Sequence, residues 1–374
     1  MAAQRNPRPS GLPSASQRPS LVAMTLPTQM TAISITAFGG PEVLEPVSLP
    51  VPQPGPGEVL IRVAAAGLNA PDIGQRRGTY NPPPDASPLP GLEVGGEIAA
   101  TGEGVQDFAP GDPVVALTNG GGYAEYVVVP AGQVLPLPDG WSRLEGAALP
   151  ETFFTIEQTL VMRAGVAPGM HVLVHGAAGG IGGAAIQIAR LHGAVPIAVL
   201  SGAEKAAYAR SLGAAETIDR SGEDFVARTL SITDGKGADR IVDIVGGPVL
   251  DRNIRAAARL GHIVIVSTQA GPRSEINASL ILMKQLTLSG STLRPQSSGT
   301  KAAIAASLRQ SVWPALADGR IRKPRIRSVA LADAARGHVE LEQPGNYGKL
   351  ILVTPWGETL RNNGSPGDNP IESV

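Results

Sequence analysis

Residues 171–183, His-Val-Leu-Val-His-Gly-Ala-Ala-Gly-Gly-Ile-Gly-Gly, constrain this chain more than any other stretch. An apolar run at 172–174 passes directly into glycines, and the glycines open a helix-forming run at 184–190. Strand, tight turn and helix N-terminus in that order leave backbone N–H groups and the positive end of a helix dipole facing one spot, which suits a phosphate. Gly176 and Ala177 begin the turn. Gly179, Gly180 and Gly182, with Ile181 among them, let the backbone approach a pyrophosphate and let the helix pack close to its strand. Glycines alone mostly mark turns. The flanking strand and helix make this stretch a dinucleotide site.

The rest of the chain organises around it. From residue 31 the pattern is β: 58–64 alternates Val59, Ile61 and Val63 as a half-buried strand does, and short strands follow at 94–101, 112–117 and 124–129. Glycine- and proline-bearing turns separate them, as in a compact β-barrel. Helical spacing at 150–162 leads into the glycine motif. Beyond it, strands at 195–200, 240–245, 263–266 and 286–289 alternate with helices at 203–212, 224–230, 249–260 and 279–285, which predicts a parallel, doubly wound sheet. Residues 300–354 add a helix, a strand near 325–329, another helix and a closing strand at 349–353. Residues 1–29 are rich in Pro, Ser, Gln and Arg. Their charge resembles a transit peptide, but the prolines forbid its helix, so they read as a disordered extension, with Met24 and Met30 as alternative starts. Residues 356–374 read as a disordered tail.

Composition removes whole classes of chemistry. The 374 residues hold no cysteine, so disulfides, thiol nucleophiles and thiolate metal sites are excluded. The five histidines (His171, His175, His192, His262 and His338) fall in no metal-ligand spacing on a helix, and no metal is expected. A net charge of −1 gives no field that draws nucleic acid or a membrane surface, and no apolar run is long enough to span a bilayer.

Several short motifs resemble the medium-chain dehydrogenase/reductase superfamily, and within it the zinc-free quinone oxidoreductase branch. They are Gly39-Gly-Pro-Glu-Val-Leu44, Gly67-Leu-Asn-Ala-Pro-Asp72, Gln75-Arg-Arg-Gly-Thr-Tyr80, Pro82-Pro-Pro84, Gly91-Leu-Glu-Val-Gly-Gly-Glu97, Gly111-Asp-Pro-Val114, Gly120-Gly-Gly-Tyr-Ala-Glu-Tyr126 and Asn346-Tyr-Gly-Lys-Leu350. Zinc-dependent relatives place a cysteine within the 67–72 segment, where this chain has Ala70. The resemblance implies an α/β fold: a GroES-like β-barrel catalytic domain at 30–150 and 298–355, and a Rossmann domain at 151–297. It implies a cytoplasmic homodimer that passes reducing equivalents from NADPH to a quinone. It also places Asn69 and Tyr80 at the nicotinamide pocket, the 150–152 turn with Thr152 beneath the cofactor, and Leu293, Arg294, Asn346, Gly348 and Lys349 around it. The residues themselves leave Tyr80 between hydrogen-bonding a carbonyl and packing on Pro82–Pro84, and Asn69 between that role and a turn. Asp72 reads as the N-cap of a short helix.

Strand C-termini bind ligands in open α/β sheets, which adds Val245, Ser267 and Thr268 to the cofactor set. About 20 residues past the glycines, where NAD folds carry an acid for the ribose, the strand ends in Leu200-Ser201-Gly202 instead. Ser201, Lys205 and Arg220 can hold a 2′-phosphate, which favours NADPH; Glu204 keeps NADH open. Two rival functions stand beside the quinone reductase. One is an enal or enoyl-thioester reductase on the same scaffold, and the other is a non-catalytic NADPH-binding protein.

Overall fold

The computed structural model describes residues 26–363 and 371–374, so most of the expected N-terminal extension and part of the expected tail lie outside the described residues. The chain forms two compact units. One comprises the described residues up to Pro150 with Arg327–Glu342 and the described residues from Leu350 onward; the other comprises Glu151–Ile326 and Gln343–Lys349.

The first unit opens with the antiparallel ribbon β1 (Gln29–Ile35) and β2 (Leu44–Pro50). Strand β3 (Glu58–Gly67) runs into helix α1 (Ala70–Arg76). Then come β4 (Glu93–Thr101), β5 (Pro113–Leu117), β6 (Tyr126–Pro130), β7 (Val134–Pro136) and the short helix α2 (Arg143–Gly146). Strand β3 is buried on both faces, not on one as its alternation suggests. Val59, Ile61 and Val63 enter the main core, while Leu60 packs with Met30, Ala32 and Tyr126 under the ribbon.

The second unit starts with α3 (Pro150–Ile156), which continues as a π-helical turn over Glu157–Arg163. The Thr159 hydroxyl donates to the Thr155 carbonyl at 2.7 Å, a back-bond of the kind that bends helices. The unit continues through β8 (His171–His175), α4 (Gly180–Leu191), β9 (Val195–Leu200), α5 (Ala203–Ser211), β10 (Glu216–Asp219), α6 (Phe225–Ile232), β11 (Ala238–Asp243), α7 (Val249–Ala256), β12 (Ala257–Ile265), α8 (Ala278–Lys284) and β13 (Thr287–Gly290). Among the described residues its strands pair in the order β10-β9-β8-β11-β12-β13, all parallel, so the order reverses direction between β8 and β11. Ligands bind beyond the carboxyl ends of strands at such a switch. Leu173, Ile197, Ile218, Ile241 and Ile263 form the core of this sheet.

Helix α7 ends at Ala256, short of the expected 260. The Lys284 ammonium donates to the carbonyls of Ile254, Arg255 and Ala257 at 2.7–3.1 Å, satisfying the helix end where β12 begins. Helices α9 (Ser298–Ser311) and α10 (Trp313–Ala317) belong to this unit, whereas the sequence places the return to the barrel at residue 298.

The return adds β14 (Ile326–Ala330), α11 (Ala334–Glu342), β15 (Lys349–Val353), α12 (Pro355–Asn362) and β16 (Glu372–Ser373). Strand β15 pairs with β3, and β16 with β14. Helix α12 lies where a tail without structure is expected. Thr354 caps it by accepting from Gly357 N at 3.1 Å while its own hydroxyl donates to Val63 O at 2.7 Å, and Pro355 takes the first helical position.

Candidate active site

The glycine turn of the second unit is built as its sequence implies. The apolar residues of β8 are buried, and Gly176, at φ +60°, turns the chain away from the strand. Gly179 is the N-cap of α4, whose first turn carries no acid to compete with an anion. A Cβ on Gly182 would lie 2.4 Å from the Gly176 carbonyl oxygen and 2.5 Å from Ala177 Cα, so only glycine lets α4 sit this close to the turn. A Cβ on Gly180 would meet Lys349 Cδ at 2.7 Å and Thr152 Cγ2 at 3.0 Å, which places both side chains over the start of α4.

The 346–349 segment closes on the same turn. Gly348 N donates to Ala178 O at 2.8 Å, and Gly348 pairs with Gly179 in a parallel bridge. Its φ of +76° and a would-be Cβ 2.3 Å from Arg325 O exclude other residues. Lys349 is buried, and Asn346 is half-buried in the preceding turn. The structure therefore gathers Thr152, Gly176, Ala177, Gly179, Gly180, Ile181, Gly182, Gly348 and Lys349 around one helix N-terminus. A buried lysine and free amides there suit a pyrophosphate.

At the end of β9, Arg220 Nε donates to Ser201 Oγ at 3.0 Å, and Arg220 N donates to Leu200 O at 2.9 Å. Lys205 is half-buried on α5. Glu204 is exposed on the same helix, and its carboxylate accepts the Tyr347 hydroxyl. The Arg325 guanidinium lies over the Tyr347 ring at 4.6 Å, and Tyr208 packs against the same ring at 5.1 Å. These groups escape a reading of spacing, because 204–208 and 325–347 meet only in the fold. Asp219 at the tip of β10 also escapes it. Its carboxylate accepts Ser221 N at 2.9 Å and Gly202 N at 3.2 Å, and the first of these bonds leads in holding it below the usual carboxylate range.

Beyond the switch point, Asp243 at the end of β11 organises the next turn. It accepts Val245 N at 2.8 Å and Gly246 N at 2.9 Å through one oxygen, and Asn253 Nδ2 at 3.0 Å through the other. Asn253 Oδ1 in turn takes the Nε2 proton of His175, 2.7 Å away. Burial holds His175 below its ordinary pKa, so the ring stays neutral. Gly246 abuts Thr268, and Ala270 N reaches Val245 O at 2.8 Å, so Val245, Ser267 and Thr268 share one pair of crossing turns. Leu293 and Arg294 are buried in the loop after β13, where Lys301 Nζ donates to Arg294 O at 2.8 Å.

In the first unit, Asn69 is the N-cap of α1, and Asp72, expected to cap that helix, occupies its third position. The Asp72 carboxylate accepts Asn69 N at 2.9 Å. Asn69 Nδ2 donates to Glu93 Oε1 at 2.8 Å and to Gly67 O at 3.4 Å, so its amide is tied into the unit. Tyr80 is half-buried just beyond α1, its backbone N–H held by Gly74 O at 3.1 Å. Phe153 and Phe154 are buried, as core residues are.

Known proteins place this architecture. Residues 55–139 match the family model described as alcohol dehydrogenase GroES-like domain, and residues 180–308 match that of zinc-binding dehydrogenase. A quinone oxidoreductase of Pseudomonas aeruginosa is 35% identical over 327 residues, 86% of this chain and 98% of its own. A solved quinone oxidoreductase from Pseudomonas syringae is similar at 34% identity with a TM-score of 0.76, covering 87% of this chain and 99% of that one. A mycobacterial protein solved in complex with NADPH is 30% identical with a TM-score of 0.77, covering 87% and 100%. Among the described residues, no group of His, Asp and Glu side chains is placed to hold a metal ion, and no helix is long and apolar enough to cross a membrane. Matched to relatives over nearly their whole length and without a cysteine in its sequence, the chain is an NAD(P)-binding oxidoreductase that belongs to the zinc-free quinone oxidoreductase branch of the medium-chain dehydrogenase/reductase superfamily.

Proposed function

We propose that this enzyme is an NADPH-dependent quinone reductase that works without metal. The observation that carries the cofactor half is the Arg220–Ser201 pair at the end of β9, where a fold built for NAD has an acid for the ribose. Lys349, Thr152 and the first amides of α4 hold the pyrophosphate; Ser201, Arg220 and Lys205 hold the 2′-phosphate. The turns at Val245, Ser267 and Thr268 floor the site, with Leu293, Arg294 and Asn346 completing it. When bound, the nicotinamide supplies hydride.

The quinone half rests on the quinone oxidoreductases to which the chain is similar. Quinone oxygens take protons from solvent once the electrons have arrived, so the protein has mainly to seat the acceptor. Tyr80 does this by donating its phenol hydrogen to a quinone oxygen, and Asn69 serves by capping the helix that leads to it. The exposed Leu282 and Met283 on α8, which precedes the edge strand β13, support a pairing of two copies, which sedimentation of the purified protein checks.

Two substitutions test these roles. Lys205→Ala is expected to weaken NADPH binding by about 1–3 kcal/mol, the usual loss for a hydrogen bond to a charged group. NADH binding should hardly move, since NADH lacks the phosphate; an equal loss for both, read by calorimetric titration, assigns Lys205 to structure. Tyr80→Phe is expected to raise the quinone KM while kcat falls less than about tenfold, because no proton is delivered to carbon. A fall in kcat of about a hundredfold at constant KM makes Tyr80 a catalytic acid instead.

A further inference from the structure

A line of buried polar side chains crosses the first unit. The Glu342 carboxylate accepts Arg76 Nη2 at 3.1 and 3.2 Å. Arg76 Nη1 lies 3.2 Å from His338 Nδ1, His338 Nε2 lies 3.2 Å from Tyr123 Oη, and Tyr123 Oη lies 3.1 Å from Asp72 Oδ2. Asp72 also accepts Asn69 N at 2.9 Å and Gly91 N at 3.2 Å. Arg76 is 1% exposed, and His338, Tyr123 and Asp72 are fully buried.

Chemistry fixes the direction of every bond. A guanidinium only donates, so His338 Nδ1 must accept and carries no hydrogen. Burial, aided by the Arg76 charge, pushes the His338 pKa down to about 3, so the ring is neutral and its one hydrogen sits on Nε2. That hydrogen goes to Tyr123 Oη. Burial and the adjoining Asp72 carboxylate push the phenol above its ordinary pKa, so Tyr123 keeps its proton and donates it to Asp72. Apolar residues would fill the same space without desolvating any polar group. The chain adds a single geometry, because reversing one bond requires reversing all of them.

We propose that this one-way chain makes His338 and Tyr123 positioning residues for quinone reduction: it aims Asp72 at the Asn69 amide and so fixes helix α1, whose Gly74 carbonyl holds the Tyr80 backbone. The proposal rests on the reading of Tyr80 as the group that seats the quinone.

The experiment has a spectroscopic arm and a kinetic arm. In ¹⁵N-histidine-labelled protein, His338 is expected to show a neutral Nε2–H tautomer that does not titrate between about pH 5 and pH 9. An Nδ1–H tautomer or an imidazolium at neutral pH overturns the chain. For kinetics, His338→Leu cuts it, whereas His338→Gln offers an amide oxygen to Arg76 and an N–H to Tyr123. The leucine variant is expected to raise the quinone KM about tenfold with kcat changed less than about threefold, and the glutamine variant to recover most of that loss. The NADPH dissociation constant should stay put in both. If His338→Leu does not fold, Tyr123→Phe, which keeps the ring and loses the hydroxyl's bonds to His338 and Asp72, is expected to raise KM about threefold. Unchanged KM in the folded chain variants, beside a raised KM in Tyr80→Phe, overturns the positioning role alone. Unchanged KM in Tyr80→Phe removes the seating reading and the positioning role with it, while the tautomer measurement still stands by itself.

Discussion

Gly182→Val is expected to cost the enzyme most of its dinucleotide binding, a loss of about 5- to 150-fold, while leaving a folded protein. The new Cβ would fall 2.4 Å from the Gly176 carbonyl oxygen and 2.5 Å from Ala177 Cα, both backbone atoms that cannot swing aside. Relief comes only if α4 moves off the turn, and α4 carries the amides proposed to hold the pyrophosphate. Overpacking of this kind costs about 1–3 kcal/mol, and the phosphate turn absorbs that strain because it is the part that must shift. Gly183→Ala is the control: its methyl meets only Leu212 Cδ1, at 3.0 Å, and alanine favours the helix. Calorimetric titration with NADPH, with circular dichroism to confirm folding, gives the comparison. Wild-type affinity in Gly182→Val contradicts the role of this helix as the phosphate site.

Acid is expected to destabilise the protein through His338 before most carboxylates titrate. Unfolded, this histidine takes a proton near its ordinary pKa of about 6.5; folded, it refuses one down to about pH 3, mainly through burial and secondly through the Arg76 charge. The depressed folded pKa means that the unfolded state binds the extra proton. Stability is therefore intact above about pH 6.5 and falls by about 1.4 kcal/mol for each pH unit below it. At pH 4.5 the loss is about 2–3 kcal/mol. His175, also held neutral by burial, acts in the same direction. Urea unfolding at pH 7 and at pH 4.5 separates the contributions: His338→Gln should show the smaller difference between the two. An identical pH dependence in both proteins contradicts the buried neutral ring.

How far the sequence revealed this molecule depended on distance along the chain. The glycine turn is local, so Gly176 to Gly182 could be read from neighbouring residues, and the structure keeps them as one turn. The alternation of strands and helices likewise fixed a parallel sheet, because each element carries its own period. The end of α7 was not legible, since it depends on Lys284, far along the chain and able to satisfy carbonyls that a helix would otherwise have kept. Helix α12 had a local signal in Thr354-Pro355, a capping residue followed by proline, hidden in a polar stretch that reads as tail. The site residues divide the same way. Ser201 and Arg220 were found singly, but their hydrogen bond joins the ends of β9 and β10. The contact of Tyr347 with Glu204, and the line from Asp72 through Tyr123 and His338 to Arg76, join residues far apart in sequence. No periodicity records such pairs. Histidine spacing argued against zinc at His338, and it was silent about the polar chain that the ring completes.

Passage of hydride equivalents from NADPH to quinones is tested most directly by one measurement. Purified enzyme is mixed with NADPH and, in parallel, with ortho-quinones, para-quinones, alkenals and enoyl thioesters, and the loss of nicotinamide absorbance is followed. The expected result is rapid oxidation with quinones, slower or no turnover with the alkenals and thioesters, and weaker support from NADH than from NADPH. Reduction of enoyl thioesters or alkenals in preference to every quinone, or tight NADPH binding with no acceptor reduced, contradicts it.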